Sequence, residues 1–451
     1  MGKYSVYPIR VGLLKGLRRQ TVSVSYKIFL RLNSPSKIRL KVGQWETAVD
    51  LIQHSSDERI LLSDDLLSKS GLFDGTECHV KAGGKYLQLG PLIGVFTRRH
   101  YIRRLNRQNA TFRTSEMLKA SSEAGTVIYH FSVRDLKLKD KTVKGTVFNP
   151  LTQKWKKRIF PLPDVLYDRS SGRAYRKYKR HVWARKKMDE MNIAKMNAVH
   201  YFDKWELFRQ LGQYRNVSKY LPETRVYQPS RLKNMLLRNP VIYLKATIGG
   251  MGTRIMRIEK EGGGYRYSVY RRKLESNRLS SVQRVNRRVN SFFGPDRIIM
   301  QQGIQLVKAN NGNVDMRATV QRNGKGELEI NSIAVRMGKE GSPITSSRTG
   351  SNIVRLDEFM KASGYSNELK ERIHKFLIRV YRRIEDVYGP FGEMGIDFGL
   401  DVSGNIRFIE SNSKPAKDSL YKAFDRKTID LAFRNPMEYA KYLSGFRSEL
   451  P

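Results

Sequence analysis

From residue 5 to about residue 90, apolar and polar side chains alternate in short runs, at 23–32, 37–42, 59–62, 78–81 and 85–89. Turn-forming residues separate the runs, among them Asn33-Ser34-Pro35 and Asp74-Gly75. Period-two runs bounded by turns predict strands, so residues 1–90 are expected to form a small β-rich domain, a barrel or a sandwich. No cluster of chemically active residues falls there, and positioning or partner binding is its expected role. A continuous apolar run with Gly-Pro punctuation, LGPLIGVF at 89–96, then opens a different pattern. Such a run fits the first strand of an α/β unit. A helix near 114–124, a strand at 126–131 and an aromatic segment ending FPLPDVLYDR at 160–169 continue it, and its end is placed within 185–202. The predicted domains are therefore 1–90, 91–200 and 201–451.

The last and largest of these also reads as α/β (α+β). Residues 203–211 and 231–238 predict helices, the second ended by Asn239-Pro240, and 241–244 a buried strand. Between 365 and 388 the apolar residues Leu369, Ile373, Phe376, Val380, Ile384 and Val387 recur near the helical period, which predicts a long amphipathic helix. Residues 394–400 and 405–409 read as paired strands turning at Ser403-Gly404, and Asn435-Pro436 as the start of a final helix through Tyr442.

Length and composition narrow the class. At 451 residues the chain is long enough for two to four domains. No apolar run approaches the 18 or so residues of a membrane-spanning helix, the longest candidate being 86–96. The apolar patch at 11–14 is followed at once by Lys15, Arg18 and Arg19, so no signal peptide is expected. A single cysteine, Cys78, excludes an internal disulfide and a cysteine metal cluster, and favours synthesis in a reducing cytoplasm. Charge is the unusual property: 85 Lys and Arg against 42 Asp and Glu give a formal net charge of +43. A field of that size draws polyanions, whether nucleic acid, teichoic acid, an acidic polypeptide, a membrane surface or an acidic protein layer. Residues 169–187 hold nine Lys and Arg and no carboxylate, with Tyr175, Tyr178 and Trp183 interleaved. Single-stranded nucleic-acid grooves use such mixtures. No nucleic-acid-binding motif accompanies the segment, so it reads as a solvated basic helix with inward aromatics, and nucleic acid is disfavoured as a partner.

Four features carry candidate chemistry. The first is LKATIGGMGTRI at 244–255, where Lys245 ends a buried strand and a loop with Gly249, Gly250 and Gly252 leads into another strand. Glycines let backbone N–H groups approach phosphate oxygens, and the lysine adds a point charge. A plain Gly-rich hairpin turn is the alternative, and the spacing matches neither the Walker nor the Rossmann pattern. In the second, GIDFGLD at 395–401 is followed by FIESNSKP at 408–415. Asp397 lies on one strand, while Glu410 and Asn412 lie two apart on the next and share a face. Two carboxylates and an amide are the hard oxygen ligands magnesium takes. The alternative, a polar surface hairpin, fits less well because an unpaired carboxylate in an apolar strand is costly. The third is Arg317 and Arg336, each near the end of an apolar strand, which could clamp phosphate or pair with Asp315 or another neighbour. The fourth is Gln301-Gln302-Gly303-Ile304, whose backbone could meet an adenine edge.

Taken in order, these segments resemble the ATP-grasp superfamily, and more narrowly the YheC/YheD-type endospore coat-associated proteins. The resemblance runs through LGPLIGV at 89–95, PLPDVLYDR at 161–169, FDKW at 202–205, LPET at 221–224, YLK at 243–245, QQGI at 301–304, DMR at 315–317, ESNSKP at 410–415 and RNPMEYAKYL at 434–443; the Glu-x-Asn motif is shared by many ATP-grasp ligases, and PLPDV at 161–165 and RNPMEYA at 434–440 are the narrower signal. The resemblance implies an ATP-grasp fold in the C-terminal half behind a small α/β pre-ATP-grasp domain. It further implies a magnesium- and ATP-dependent carboxylate-amine ligase working through an acyl phosphate, or, alternatively, a non-catalytic nucleotide-binding coat or morphogenetic protein. By the same resemblance Lys204 and Lys245 would contact ATP phosphates, and Gly249, Gly250 and Gly252 would form the phosphate lid. Gln301, Gln302, Gly303 and Ile304 would be the adenine hinge, Asp397, Glu410 and Asn412 would hold magnesium, and Arg317 and Arg336 would face the γ-phosphate and the acyl phosphate. The carboxylate and amine substrates are not named by it; an acidic polymer or spore-envelope component and a place at the developing endospore coat are implied. Two departures stand out: the loop ends Gly252-Thr-Arg254-Ile255 where the family has Gly-x-Gly-Ile, and the substrate loop at 345–351 is looser than Asn-x-x-x-Gly-Gly.

Overall fold

The computed structural model describes residues 4–16, 18–33, 35–55, 59–170, 179–249, 254–270, 273–340, 342, 345 and 350–447. Two compact units make up the chain. One comprises Met1–Asn197, Arg322–Glu327 and Asp430–Pro451, the other Ala198–Gln321 and Leu328–Ile429.

In the first unit the alternating runs close into a seven-stranded barrel. Its order around the barrel is Ser5–Leu13, Arg59–Leu62, Thr21–Ser25, Trp45–His54, Lys37–Val42, Tyr86–Gly90, Thr76–Gly83. One predicted strand is only half a strand. Residues Thr21–Ser25 are extended, but Tyr26–Arg31 is a helix, because Ser25 caps it by accepting from Ile28 N and Ile28 and Leu32 then fall on one buried face. After the barrel an open sheet runs, in order, Leu136–Lys137, Thr142–Asn149, Val127–Phe131, Leu92–Phe96, Val165–Asp168, Ala194–Lys195, with Lys154–Pro161 paired to Thr142–Asn149. Barrel residues such as Leu40, Val80 and Leu89 share one apolar cluster with Leu92, Phe131, Phe160 and Leu166 of this sheet. Asp164 bridges the same two elements: it is buried, and accepts from Leu92 N at 2.8 Å and Gln88 Nε2 at 2.9 Å.

The second unit has two sheets. The first is antiparallel, in the order Thr224–Val226, Ile298–Gln302, Val241–Ala246, Ile255–Glu261, Gly264–Tyr270, Leu274–Leu279. Helices Pro229–Arg238 and Val282–Phe293 pack on one face of it through Leu232, Leu236, Val285, Val289 and Phe293. The second sheet runs Asn352–Arg355, Leu328–Met337, Gly312–Arg322, Glu393–Leu400, Ile406–Asn412. Against it lies Asn367–Tyr388, which buries the predicted Leu369, Ile373, Phe376, Val380 and Ile384 together with Leu377 and Tyr381. At the end of the chain Pro436 does not begin a helix; it sits inside Arg426–Ser444. Its missing N–H leaves one carbonyl of the preceding turn without its helical donor, yet Ala432, Phe433, Met437 and Ala440 keep a buried face running across it.

Candidate functional site

Along Val241–Ala246 the residues Ile242 and Leu244 enter the core, so Tyr243 and Lys245 take the other face. The Lys245 side chain is buried and donates to Gln301 Oε1 at 2.6 Å, and Gln301 Nε2 donates to Thr224 Oγ1 at 3.0 Å. Burial brings the Lys245 ammonium down to about 8, with Glu410 and Asp397 opposing that fall and Lys204 adding to it. Charges on both sheets of the unit are therefore within electrostatic reach of one another. Lys204 opens the helix Lys204–Leu211, capped by the Asp203 carboxylate, which accepts from Glu206 N at 3.1 Å. Its Nζ donates to Gly249 O at 2.9 Å and lies 4.0 Å from Glu410 Oε2.

Gly249, exposed and at φ +151°, holds a backbone conformation in which a side chain would be strained. Gly250 and Gly252 lie outside the described residues. Arg254 is anchored: Nε donates to Asp296 Oδ2 at 2.7 Å, Nη1 to Phe292 O at 2.8 Å and Nη2 to Phe293 O at 2.6 Å. A cation on the last carbonyls of Val282–Phe293 also suits the negative end of that helix. Gln302 ends its strand exposed, and its N donates to Glu223 O at 2.9 Å. Gly303 N donates to Val241 O at 2.8 Å, and a Cβ at Gly303 would lie 2.8 Å from Val241, so only glycine fits. Gln302, Gly303 and Ile304, with Tyr243 and Arg257, border a cavity of about 610 Å³.

The acidic residues sit on Glu393–Leu400 and Ile406–Asn412. Arg317 is opposite Asp397 on one side, Glu410 is opposite it on the other, and Asn412 is opposite Gly395. The next pair beyond Asp397–Glu410 is Phe398–Phe408, which leaves Ile409 without a counterpart, a β-bulge. The bulge changes parity. Phe408 and Glu410 are two apart and would share a face in a regular strand, but here Phe408 is in the core while Glu410 joins Asp397 on the opposite face.

Asp397 is 3% exposed and accepts from Arg317 Nε at 2.6 Å, Arg317 Nη2 at 2.5 Å and Arg336 Nη2 at 3.2 Å. Burial alone would raise its carboxyl, but the two guanidiniums outweigh it and hold the group at about 2. Arg336 also donates to Asp315 Oδ1 at 2.5 Å, and Thr345 Oγ1 donates to the other oxygen of Asp315. Burial pushes Asp315 up against the pull of Arg336. Both arginines are thus in ion pairs, the alternative their sequence setting left open. Glu410 and Asn412 are more open, and Asn412 Nδ2 donates to Glu410 Oε1 at 3.2 Å. Asp315, which the sequence already offered as an ion-pair partner, takes up Arg336 rather than its strand neighbour Arg317; what sequence reading missed was Asp397 as the shared partner of both arginines. It also missed the Glu393–Lys417 pair, 2.7 Å apart with side chains 0% and 3% exposed.

Lys204, Lys245, Gly249, Gln301 to Ile304, Asp397, Glu410 and Asn412 thus lie within one unit of two sheets. Residues 192–443 match the model of the YheC/D like ATP-grasp family. The chain belongs to that family. Endospore coat-associated protein YheD of Bacillus subtilis (strain 168) is 24% identical to it over 396 residues, 86% of each chain. YheC of the same strain is 22% identical over 356 residues, covering 76% of this chain and 96% of that one. Among solved structures, the ATP-grasp ligase PsnB complexed with minimal precursor aligns at 13% identity and a TM-score of 0.45, over 79% of this chain and 99% of that one. The C-terminal half of this YheC/D-like chain is an ATP-grasp fold, preceded by an α/β sheet and an N-terminal β barrel. Among the described residues, no helix is long and apolar enough to cross a membrane.

Proposed function

We propose that the chain is a magnesium- and ATP-dependent ligase that joins a carboxylate to an amine. The observation that carries this reading is the approach of Lys204 and Lys245 to the Asp397, Glu410 and Asn412 face within one unit. ATP would supply the phosphoryl group that turns the carboxylate into an acyl phosphate, and magnesium would neutralise charge on the transferring phosphoryl.

The residues fit such a metal in kind. Asp397, Glu410 and the Asn412 amide offer hard oxygens. Among the described residues no group of three or more His, Cys, Asp or Glu is gathered, so the set depends on the amide as its third ligand. Asp397 already receives three N–H bonds, but an ionised carboxylate has about four lone-pair directions and can keep its arginines while facing a cation. Lys204 and Lys245 would bind the phosphates, with Gly249, Gly250 and Gly252 closing over them, and Gln301 to Ile304 would take the adenine edge. Arg317 spends Nε and Nη2 on Asp397; with Arg336 it fixes that carboxylate and would add positive charge where the γ-phosphate and the acyl phosphate stand.

The closed pairing of Asp397 also favours a second reading: nucleotide binding without turnover, in a coat or morphogenetic protein drawn by its basic charge to an acidic layer of the developing spore. ADP release separates the two. The full chain with magnesium-ATP and acidic spore-envelope components should release ADP, and Glu410→Gln should not. Nucleotide binding without any ADP release across those components would leave only the second reading standing, and no magnesium-dependent binding at all would remove both.

A further inference from the structure

The open sheet of the first unit has a feature that the ligase reading does not use. Val127–Phe131, Leu92–Phe96, Val165–Asp168 and Ala194–Lys195 lie side by side and parallel in that order. From Leu92–Phe96 the chain crosses through helices Arg99–Asn106 and Phe112–Glu123 to the strand on one side. From Val165–Asp168 it crosses to the strand on the other side, by a connection that contains helix Lys179–Glu190. Where connections leave two neighbouring parallel strands in opposite directions, a crevice opens at their carboxyl ends, and open α/β sheets take ligands there.

Here the two ends are Phe96-Thr97-Arg98 and Asp168-Arg169-Ser170. Phe96 pairs with Asp168, and Arg169 N donates to Phe96 O at 2.8 Å. The carboxylate of Asp168 is already engaged: it accepts from Arg185 Nε at 2.6 Å and from Ser170 Oγ at 2.8 Å. The Phe96 ring is packed against Arg185 and the His181 ring, each 5.5 Å away. Arg98 differs from Arg185. Its Nε is buried and has no acceptor, and no carboxylate among the described residues pairs with its guanidinium. A buried cationic N–H without a partner is costly, and where one persists an ion or water normally meets it. Arg169 stands at the same strand ends and Arg185 takes up the Asp168 carboxylate there, so the partner that suits Arg98 is an anion.

We propose that this crevice is an oxyanion site, in which Arg98 takes a phosphate or carboxylate group of a ligand through its planar fork. The guanidinium can offer two parallel N–H groups to either oxyanion, and the surrounding charge excludes cations. The site stands on the first unit alone and does not depend on the ligase reading.

Calorimetric titration of the full chain with inorganic phosphate, and separately with succinate, tests it and distinguishes the two sources of the oxyanion. Saturable binding of at least one of them is expected, weakened about tenfold or more by Arg98→Gln, since a hydrogen bond to a charged group is lost. Arg98→Lys keeps the charge without the fork and should weaken binding less than Arg98→Gln; it decides the question if Arg98→Gln does not fold. Lys245→Met should leave this binding unchanged, which separates it from the proposed nucleotide phosphates. Parent-like affinity in Arg98→Gln and Arg98→Lys, loss of all binding in Lys245→Met, or no saturable binding of either anion would each overturn the proposal.

Discussion

Lys245 should take up a proton when nucleotide binds. Burial holds its ammonium at about 8 in the free protein, the nearby Glu410 and Asp397 notwithstanding. At pH 8 about half of the side chains are then neutral, and at pH 7 about a tenth. A triphosphate beside Nζ favours the charged form and returns the pKa toward or above its ordinary range. Binding should therefore absorb about 0.5 proton per nucleotide at pH 8 and about 0.1 at pH 7. By linkage, affinity should fall about tenfold between pH 7 and pH 9, because a growing share of the protein must first be protonated. Titrations of magnesium-ATP in two buffers of different ionisation enthalpy measure the uptake directly. Lys245→Arg, charged at every accessible pH, should bind with no such uptake and a flat pH profile. Equal uptake in the parent and in Lys245→Arg would show that the lysine is not beside the phosphates, whatever the affinity.

Four further outcomes are expected. Asp164 is raised by burial to about 6, with Leu92 N, Lys41 and Gln88 opposing; its contribution is full below the unfolded value and is lost as pH rises through about 6. Relative to Asp164→Asn, the parent should lose about 2 kcal/mol between pH 4 and pH 7 in urea melts, and a pH-independent difference would refute this. Arg254→Ala releases three acceptors at the end of Val282–Phe293; amide exchange across 245–255 should speed up and nucleotide dissociation with it, and unchanged exchange would mean that the anchor does not restrain the loop. Deleting Ile409 should be tolerated, since Phe408 and Glu410 then fall on opposite faces of a regular strand without a bulge; loss of the cooperative melting transition in that variant would contradict the parity argument. Removing residues 1–88 uncovers Leu92, Phe131 and Phe160 of the shared apolar cluster, so the remainder should lose its sharp melting transition; a cooperative melt like the parent's would show that the sheet does not need the barrel.

The long helix at 367–388 was legible because about six turns of apolar spacing leave few alternatives, and the strand pair carrying Asp397, Glu410 and Asn412 because its apolar runs turn at Ser403-Gly404. Lys245 was legible as a charge at the end of a buried run. What escaped was set by single residues acting against the pattern around them. Ser25 converts an alternating stretch into a helix by capping it, and Pro436 looks like a helix start because the same residue favours first turns and is tolerated within a helix when packing continues across it. Whether Arg317 and Arg336 meet Asp397 or something else depends on register between strands 80 and 61 residues apart in sequence, which local periodicity does not encode. The bulge at Ile409 was equally silent, since FIESN reads as an ordinary alternation.

That bulge places a phase boundary inside a single strand. On its near side Ile406 and Phe408 answer to the core; on its far side Glu410 and Asn412 share the face of Asp397, although all four sit at even positions of the sequence. A complete substitution scan of Ile406–Asn412 should therefore be out of phase with itself: even positions intolerant of polarity up to 408, and intolerant of losing it from 410 onward. Moving Glu410 and Asn412 into another sheet would require carrying Phe408 and Ile409 along with them, because the two-residue Glu-x-Asn spacing alone does not say which side of the sheet it will face.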